Sequence, residues 1–190
     1  MSAGILQAAG TGSPTPARWD GRVSQATEWT GYVLNALQLH GQDLLRCQPR
    51  DIGQFCAAFP ADGTRRARFW AFLISGIAEF ESDFDPNQKY TESFTDQGKP
   101  VVSAGLLQLS VEDSGLYGCE FTNESDLVIP EKNLSCGVRI LQRLIGQDNV
   151  ISGNVGDRFF GAARYWSTMR PARQRHPLEN IKHWCSSQTF

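Results

Sequence analysis

Glu81 closes a stretch of chain in which little else can carry charge. From Phe69 to Ala78 no side chain is charged, and Phe69, Phe72, Leu73, Gly76, Ile77 and Phe80 recur at helical spacing. At about 100° per residue, Glu81 falls on the stripe of Ile77, Ile74 and Trp70. A carboxyl held against apolar and aromatic surface loses hydration in its charged form, so its pKa rises and it keeps a proton near neutral pH. That is the property of a general acid, which hands a proton to a leaving oxygen. Glu79 competes for the role, although its neighbours Ser75 and Phe72 make a less consistently apolar stripe. A fully solvated helix end would leave Glu81 an ordinary carboxylate.

Other chemistries find less support. His40, His176 and His183 stand at no ligand spacing to the cysteines, and no C-x-x-C pair occurs. Asp83-x-Asp85-x-Asn87 opens like a calcium loop, but Gln88 and Phe94 occupy the sixth and twelfth positions, where glycine and glutamate belong. No metal and no cofactor is expected. With 18 basic and 20 acidic residues, a net charge of −2 and no long basic block, nucleic acid is not an expected partner. The basic run Arg170 to Arg175 reads as a solvated face or a contact for an anionic polymer. No apolar stretch reaches the roughly 18 residues that cross a membrane, so no membrane insertion is expected.

A single mainly α domain must position these groups. Residues 1–20, rich in Gly, Ser, Thr, Pro and Ala, read as a flexible N-terminal arm. Residues 21–190 read as one domain. The periodicity predicts a helix over about 22–46 with a break near Gly41, and a loop from Cys47 to Gly63. The central buried helix, capped by Thr64, runs to about Glu81. Residues 82–103, with Pro86, Gly98 and Pro100, form a long loop or a small β element. Further helices are predicted near 105–115, 131–147 and 157–169, and a short one from Leu178 to Cys185. Asn123-Glu-Ser125 and Asn133-Leu-Ser135 are glycosylation acceptors in form, meaningful only in a eukaryotic secretory route.

Five cysteines, Cys47, Cys56, Cys119, Cys136 and Cys185, suggest two disulfides and one free thiol, and with them an oxidising compartment. Sequence alone does not fix the pairing. Cys47 with Cys56 is the local favourite and Cys119 with Cys136 the next. Five buried, reduced thiols are the alternative.

At Glu81 the sequence resembles a known family. Glu81-Ser82-Asp83-Phe84-Asp85-Pro86 is similar to the Glu-Ser-x-Phe-x-Pro signature of soluble lytic transglycosylases, relatives of goose-type lysozymes. Ser103-Ala104-Gly105-Leu106-Leu107-Gln108 resembles the Gly-Leu-Met-Gln motif with its preceding serine. Ala163-Arg164-Tyr165-Trp166-Ser167 takes the place of a third motif, Ala-x-Tyr-Asn-x-Gly, with Trp166 where asparagine belongs and the glycine absent. The three motifs span about half the chain, from Phe69 to Trp166. The resemblance implies a mainly α, α+β lysozyme-like fold, peptidoglycan glycan strands as substrate, and Glu81 as catalytic acid. It makes Ser103, Gly105, Gln108, Tyr165 and Trp166 substrate contacts. Gln108 would line the sugar groove, Tyr165 would sit across from Glu81, and the Gly105 turn would bring backbone close to the glycan. Trp166 would stack on a sugar face or belong to the core, and its presence puts the hold on the N-acetyl group in question.

Inverting glycosidases add a second carboxylate roughly 6.5–9.5 Å from the acid to activate water. Lytic transglycosylases do without one, because the sugar's own 6-hydroxyl attacks and leaves 1,6-anhydro ends. Of Asp83, Asp85, Glu92 and Asp96, Asp96 is the favoured second carboxylate, since the first two lie too near Glu81 in sequence. The long acidic loop tips the reading toward a muramidase that hydrolyses the MurNAc–GlcNAc β-1,4 bond. A non-catalytic module binding glycan or protein on the same fold is the remaining reading. Chemistry aimed at the wall and cysteines suited to an oxidising space suggest an enzyme secreted, or delivered to its own or a rival's periplasm; with no leader visible before residue 1, either a signal peptide has been removed or the export route uses none. An antibacterial effector of this kind, acting as a monomer, would be restrained by a periplasmic immunity protein.

Overall fold

The computed structural model describes residues 17–170, apart from 58 and 97, together with 177–187. The N-terminal segment is already part of the core: Trp19 is fully buried, stands edge-on to Trp29 at 5.6 Å, and donates its indole N–H to the Thr30 hydroxyl at 2.9 Å. The arm expected over 1–20 therefore ends by Ala17, and residues 1–16 lie outside the described part. Two helices follow, α1 (Ala26–His40) and α2 (Gln42–Arg46), with the expected interruption at Gly41. The start falls later than predicted because residues 18–22 turn to seat Trp19.

The uncharged run becomes the middle of α3 (Gly63–Ser82), in which every residue from Phe69 to Ala78 is buried. Its cap is Asp62, not Thr64: the Asp62 carboxylate accepts the Arg65 N–H at 2.9 Å. Residues after it form an antiparallel hairpin, β1 (Lys89–Asp96) and β2 (Lys99–Ala104), with an irregularity between Thr91 and Thr95. Two short helices, α4 (Asp113–Tyr117) and α5 (Glu124–Leu127), lead into α6 (Pro130–Asp148). There Pro130 opens the first turn, and Leu134, Val138, Leu141 and Ile145 are buried as their spacing predicts. A second hairpin, β3 (Ser152–Val155) and β4 (Arg158–Gly161), precedes two 3-10 turns, and α7 (Pro177–Ser187) packs on α3.

Two predicted helices are absent. Residues 105–109 form a tight turn closed by a bridge between Ala104 and Leu109. Its Leu106, Leu107 and Leu109 are apolar because the turn itself is buried. Residues 157–169 hold β4 and the 3-10 turns instead of a helix. Gly161 there has φ +58, and a Cβ on it would meet the Val150 carbonyl oxygen at 2.3 Å.

The disulfides join Cys119 to Cys136, as expected, and Cys56 to Cys185 in place of Cys47 with Cys56. Packing decides the second pair. Trp184 of α7 stacks on Phe72 of α3 at 4.6 Å, which seats Cys185 with its Cα 5.3 Å from that of Cys56. Cys47 ends α2, where its thiol donates to the Leu44 carbonyl and burial pushes its pKa up to about 11. Peptide mapping without reduction is expected to recover Cys56 linked to Cys185 and Cys119 linked to Cys136, with Cys47 alkylatable. A Cys47–Cys56 peptide would contradict this packing.

Candidate active site

Helix α3 stops one residue after Glu81, and its stop is what aims the carboxyl. Asp83 and Phe84 both take positive φ, 48° and 66°, an uncommon pair for non-glycine residues. The Asp83 N–H closes the helix onto the Glu79 carbonyl at 3.1 Å, and Phe84 is buried under the Arg22 guanidinium, 4.5 Å from the ring centre. The Ser82 hydroxyl donates to the Ala78 carbonyl at 3.1 Å and is also placed 2.9 Å from that of Leu106. The helix end and the 105–108 turn, widely separated in sequence, are thereby stitched together.

That turn depends on α6. Asn133, fully buried, donates through Nδ2 to the carbonyls of Ala104 (3.1 Å) and Leu127 (2.8 Å) and accepts the Leu107 N–H at 2.9 Å. Gly105 sits against it at φ +81, where a Cβ would come within 2.4 Å of Nδ2. The close approach that requires glycine is thus toward the interior, and Gly105 is buried behind the site instead of facing a ligand. Asn133 has the form of a glycosylation acceptor, but it is buried; an amide on an otherwise apolar helix stripe is the sequence signal of this interior role.

In front of these supports lies an open cleft of about 1160 Å³. Glu81 and Gln108 line it, with Gln88, Tyr90, Glu92, Phe94 and Ser103 from the first hairpin and its approach, Asp113 and Leu116 from α4, and Tyr165, Trp166 and Arg170 from the 3-10 region. Glu81 is half-buried and its Oε1 accepts the Thr168 hydroxyl at 2.5 Å. Glu79, the competing acid, is engaged elsewhere: Arg18 binds both its oxygens, at 2.7 and 2.9 Å, and Arg22 adds a contact at 2.6 Å. Glu92 is half-buried on β1, where the Ser103 hydroxyl donates to it at 2.6 Å. Asp96 pairs by backbone with Lys99 at the hairpin tip, and its side chain is outside the described part.

Gln108 spends its amide N–H groups on the carbonyls of Gln88 (3.0 Å) and Gly105 (2.9 Å), so it ties the turn to the hairpin while lining the cleft. Trp166 is 2 % exposed and donates its indole N–H to the Leu107 carbonyl at 2.9 Å. It is a core residue with an edge on the cleft. Tyr165 is half-buried, and its hydroxyl donates to Asp113 Oδ2 at 2.5 Å. Burial, with the charge of Asp113 behind it, holds the phenol well above the usual tyrosine range; burial likewise raises the Asp113 carboxyl. Thr168 and Asp113 had no distinguishing signal in the sequence, since both reach the cleft through chain reversals that no periodicity marks.

A mainly helical domain with small hairpins, whose central helix delivers a glutamate into a long open cleft, is lysozyme-like. Residues 61–164 match the Transglycosylase SLT domain, and the chain belongs to that family of peptidoglycan-cleaving enzymes. Solved structures of Bd0314 DslA are similar throughout: a wild-type form is 37% identical, with a TM-score of 0.85, over 93% of this chain and 97% of that one. Two glutamate-to-glutamine variants of DslA are 36% identical at the same TM-score and coverage. No curated protein matches the chain.

Asn133→Ala is expected to destabilise the domain by about 3 kcal/mol or more, because a buried N–H and two buried carbonyls lose their partner. Calorimetry should show the melting point falling by roughly 10 °C; an unchanged melting point would mean the turn is held by other contacts.

Proposed function

We propose that the protein is a muramidase that hydrolyses the β-1,4 bond between MurNAc and GlcNAc, with Glu81 as general acid and Glu92, in place of Asp96, as the base that activates water. The observation that carries this is the presence of both glutamates in one cleft, each fixed by a hydroxyl, Thr168 for Glu81 and Ser103 for Glu92. The two glutamates exchanged in the DslA variants lie eleven positions apart in that chain, the separation of Glu81 and Glu92 here. Tyr90 and Phe94, each more than half exposed along the cleft, offer flat ring faces on which sugar rings stack, and Leu116, exposed to a similar degree, adds aliphatic surface. In the reaction Glu81 protonates the glycosidic oxygen as the bond to the anomeric carbon breaks. Glu92 takes a proton from the water that attacks that carbon from the opposite face.

Glu81→Gln is expected to lower the clearing of a peptidoglycan suspension by at least about 100-fold while circular dichroism stays unchanged. Glu92→Gln should lose a similar factor, and mass spectrometry of wild-type products should show reducing ends. Dominant 1,6-anhydro ends, with Glu92→Gln still active, would instead establish a transglycosylase in which the sugar's 6-hydroxyl replaces water.

The two disulfides suit an oxidising space beside the wall. We extend the reading to an antibacterial effector active in a target cell's periplasm and countered in the producer by a periplasmic inhibitor that reaches the cleft. Expression fused to a periplasmic targeting sequence is expected to lyse cells, and expression without it to leave them intact. Intact cells in both cases, with folded protein in the periplasm, would end the antibacterial reading.

A further inference from the structure

Asp113 faces the cleft without a place in the chemistry above. It opens α4, is 2 % exposed, and among the described residues forms no ion pair. Three donors converge on its Oδ2: the Tyr165 hydroxyl at 2.5 Å, the Ser110 N–H at 2.9 Å and the Ser110 hydroxyl at 3.5 Å. A buried carboxylate without a cation is costly, and these hydrogen bonds are what offset the lost hydration.

The consequence falls on Tyr165. A phenol has one proton to donate. With that proton directed at Asp113, the oxygen can only accept from whatever occupies the cleft, and the bond to a charged acceptor makes it more electron-rich. The ring is also held from the sides, edge-on to Tyr117 at 5.9 Å and against Trp166 at 4.8 Å. Three residues further on, Thr168 binds Glu81, so one short segment carries both the phenol and the hydroxyl that fixes the acid.

We propose that Asp113 is a positioning residue for cleavage: by accepting the Tyr165 O–H hydrogen bond it fixes the phenol in the cleft and turns its oxygen to the glycan as an electron-rich acceptor. As the glycosidic bond breaks, positive charge grows on the anomeric carbon and ring oxygen, and a preorganised acceptor beside it is worth more in that state than in the ground state. The effect therefore belongs in kcat and not in KM. The groups that share this pocket of charge are Glu112, Tyr117, Arg164 and Glu81. The inference rests on the reading that this cleft cuts glycan at Glu81.

The test compares Asp113→Asn, Tyr165→Phe and the double variant on solubilised glycan strands. Each single variant is expected to lower kcat by about tenfold, the size of one hydrogen bond to a charged group, with KM within about twofold. The double variant should be no slower than Tyr165→Phe alone, because Asp113 acts through the phenol. Wild-type kcat in Asp113→Asn, or losses that multiply in the double variant, would overturn the proposal. A second measurement needs no turnover. Ultraviolet titration should find one tyrosine ionising above the others, missing in Tyr165→Phe and shifted down in Asp113→Asn. Its absence from the wild type would overturn the contact. Failure of the wild type to cleave, with this titration as expected, would overturn the muramidase reading and with it the role of Asp113 in cleavage, leaving only the Asp113–Tyr165 contact.

Discussion

The side-chain amide of Asn133 holds together parts of the chain that have no other reason to meet. Its three hydrogen bonds reach Ala104 at the end of β2, Leu107 in the turn, and Leu127 at the end of α5, all in the dry interior. In that setting an unmade bond costs the full desolvation of the group, so the turn has one low-energy position relative to α6. The steric condition goes with the electrostatic one: only glycine fits at position 105, because the Leu127 carbonyl oxygen and the amide that binds it together occupy the space a Cβ would need. From the fixed turn, the Leu106 carbonyl lies beside Ser82, the residue after Glu81, and the Leu107 carbonyl takes the Trp166 indole. The two motifs that bear the chemistry are thus held in register from behind, by a residue that never touches the cleft.

The second support comes from the N-terminal side. Helix α3 ends in two left-handed residues, and each such conformation costs on the order of 1–3 kcal/mol. Arg22 bridges Glu79 and Asp83, at 2.6 and 2.7 Å, and lies over Phe84, while Trp19 packs edge-on to the same ring at 6.2 Å. Exposed ion pairs contribute little each, and Arg22 is 42% exposed. The buried rings of Trp19 and Phe84 therefore carry most of the stabilisation, and the arginines choose the direction in which Glu79 points. That choice separates the two neighbouring acids, Glu79 turned to Arg18 and Arg22 and Glu81 to the cleft.

What could be read in the sequence was what has a period or a motif. The uncharged run of α3 and the heptad-like stripe of α6 predicted buried helices, because burial on all sides or on one face imposes composition. The glutamate at the end of α3 was legible for the same reason. Buried turns defeated the reading: Leu106, Leu107 and Leu109 look like a helix face, and only the φ angles of Gly105 and Gln108 show otherwise. The 162–170 segment is similar, since two 3-10 turns after a hairpin leave no repeat to detect. Nearness in sequence favours Cys47 with Cys56, but it says nothing about where α7 docks, and that docking pairs Cys56 with Cys185. Asp113, Thr168 and the Ser103–Glu92 bond are products of tertiary approach, which spacing along one strand or helix cannot report.

The Cys56–Cys185 bridge has a consequence beyond packing. It closes a loop over 129 residues of separation, so everything from Cys56 through α3, both hairpins and α6 to α7 becomes a ring. By the chain-entropy argument, a ring of this size removes about 5 kcal/mol of freedom from the unfolded chain. That is comparable to the entire folding free energy of many domains. Stability in this protein is therefore tied to the electron balance of its surroundings. In a reducing environment the same sequence is a weaker, more easily opened chain, and therefore a better substrate for proteases. An oxidising environment closes the ring and a reducing one opens it, so the surroundings set how firmly the cleft is held.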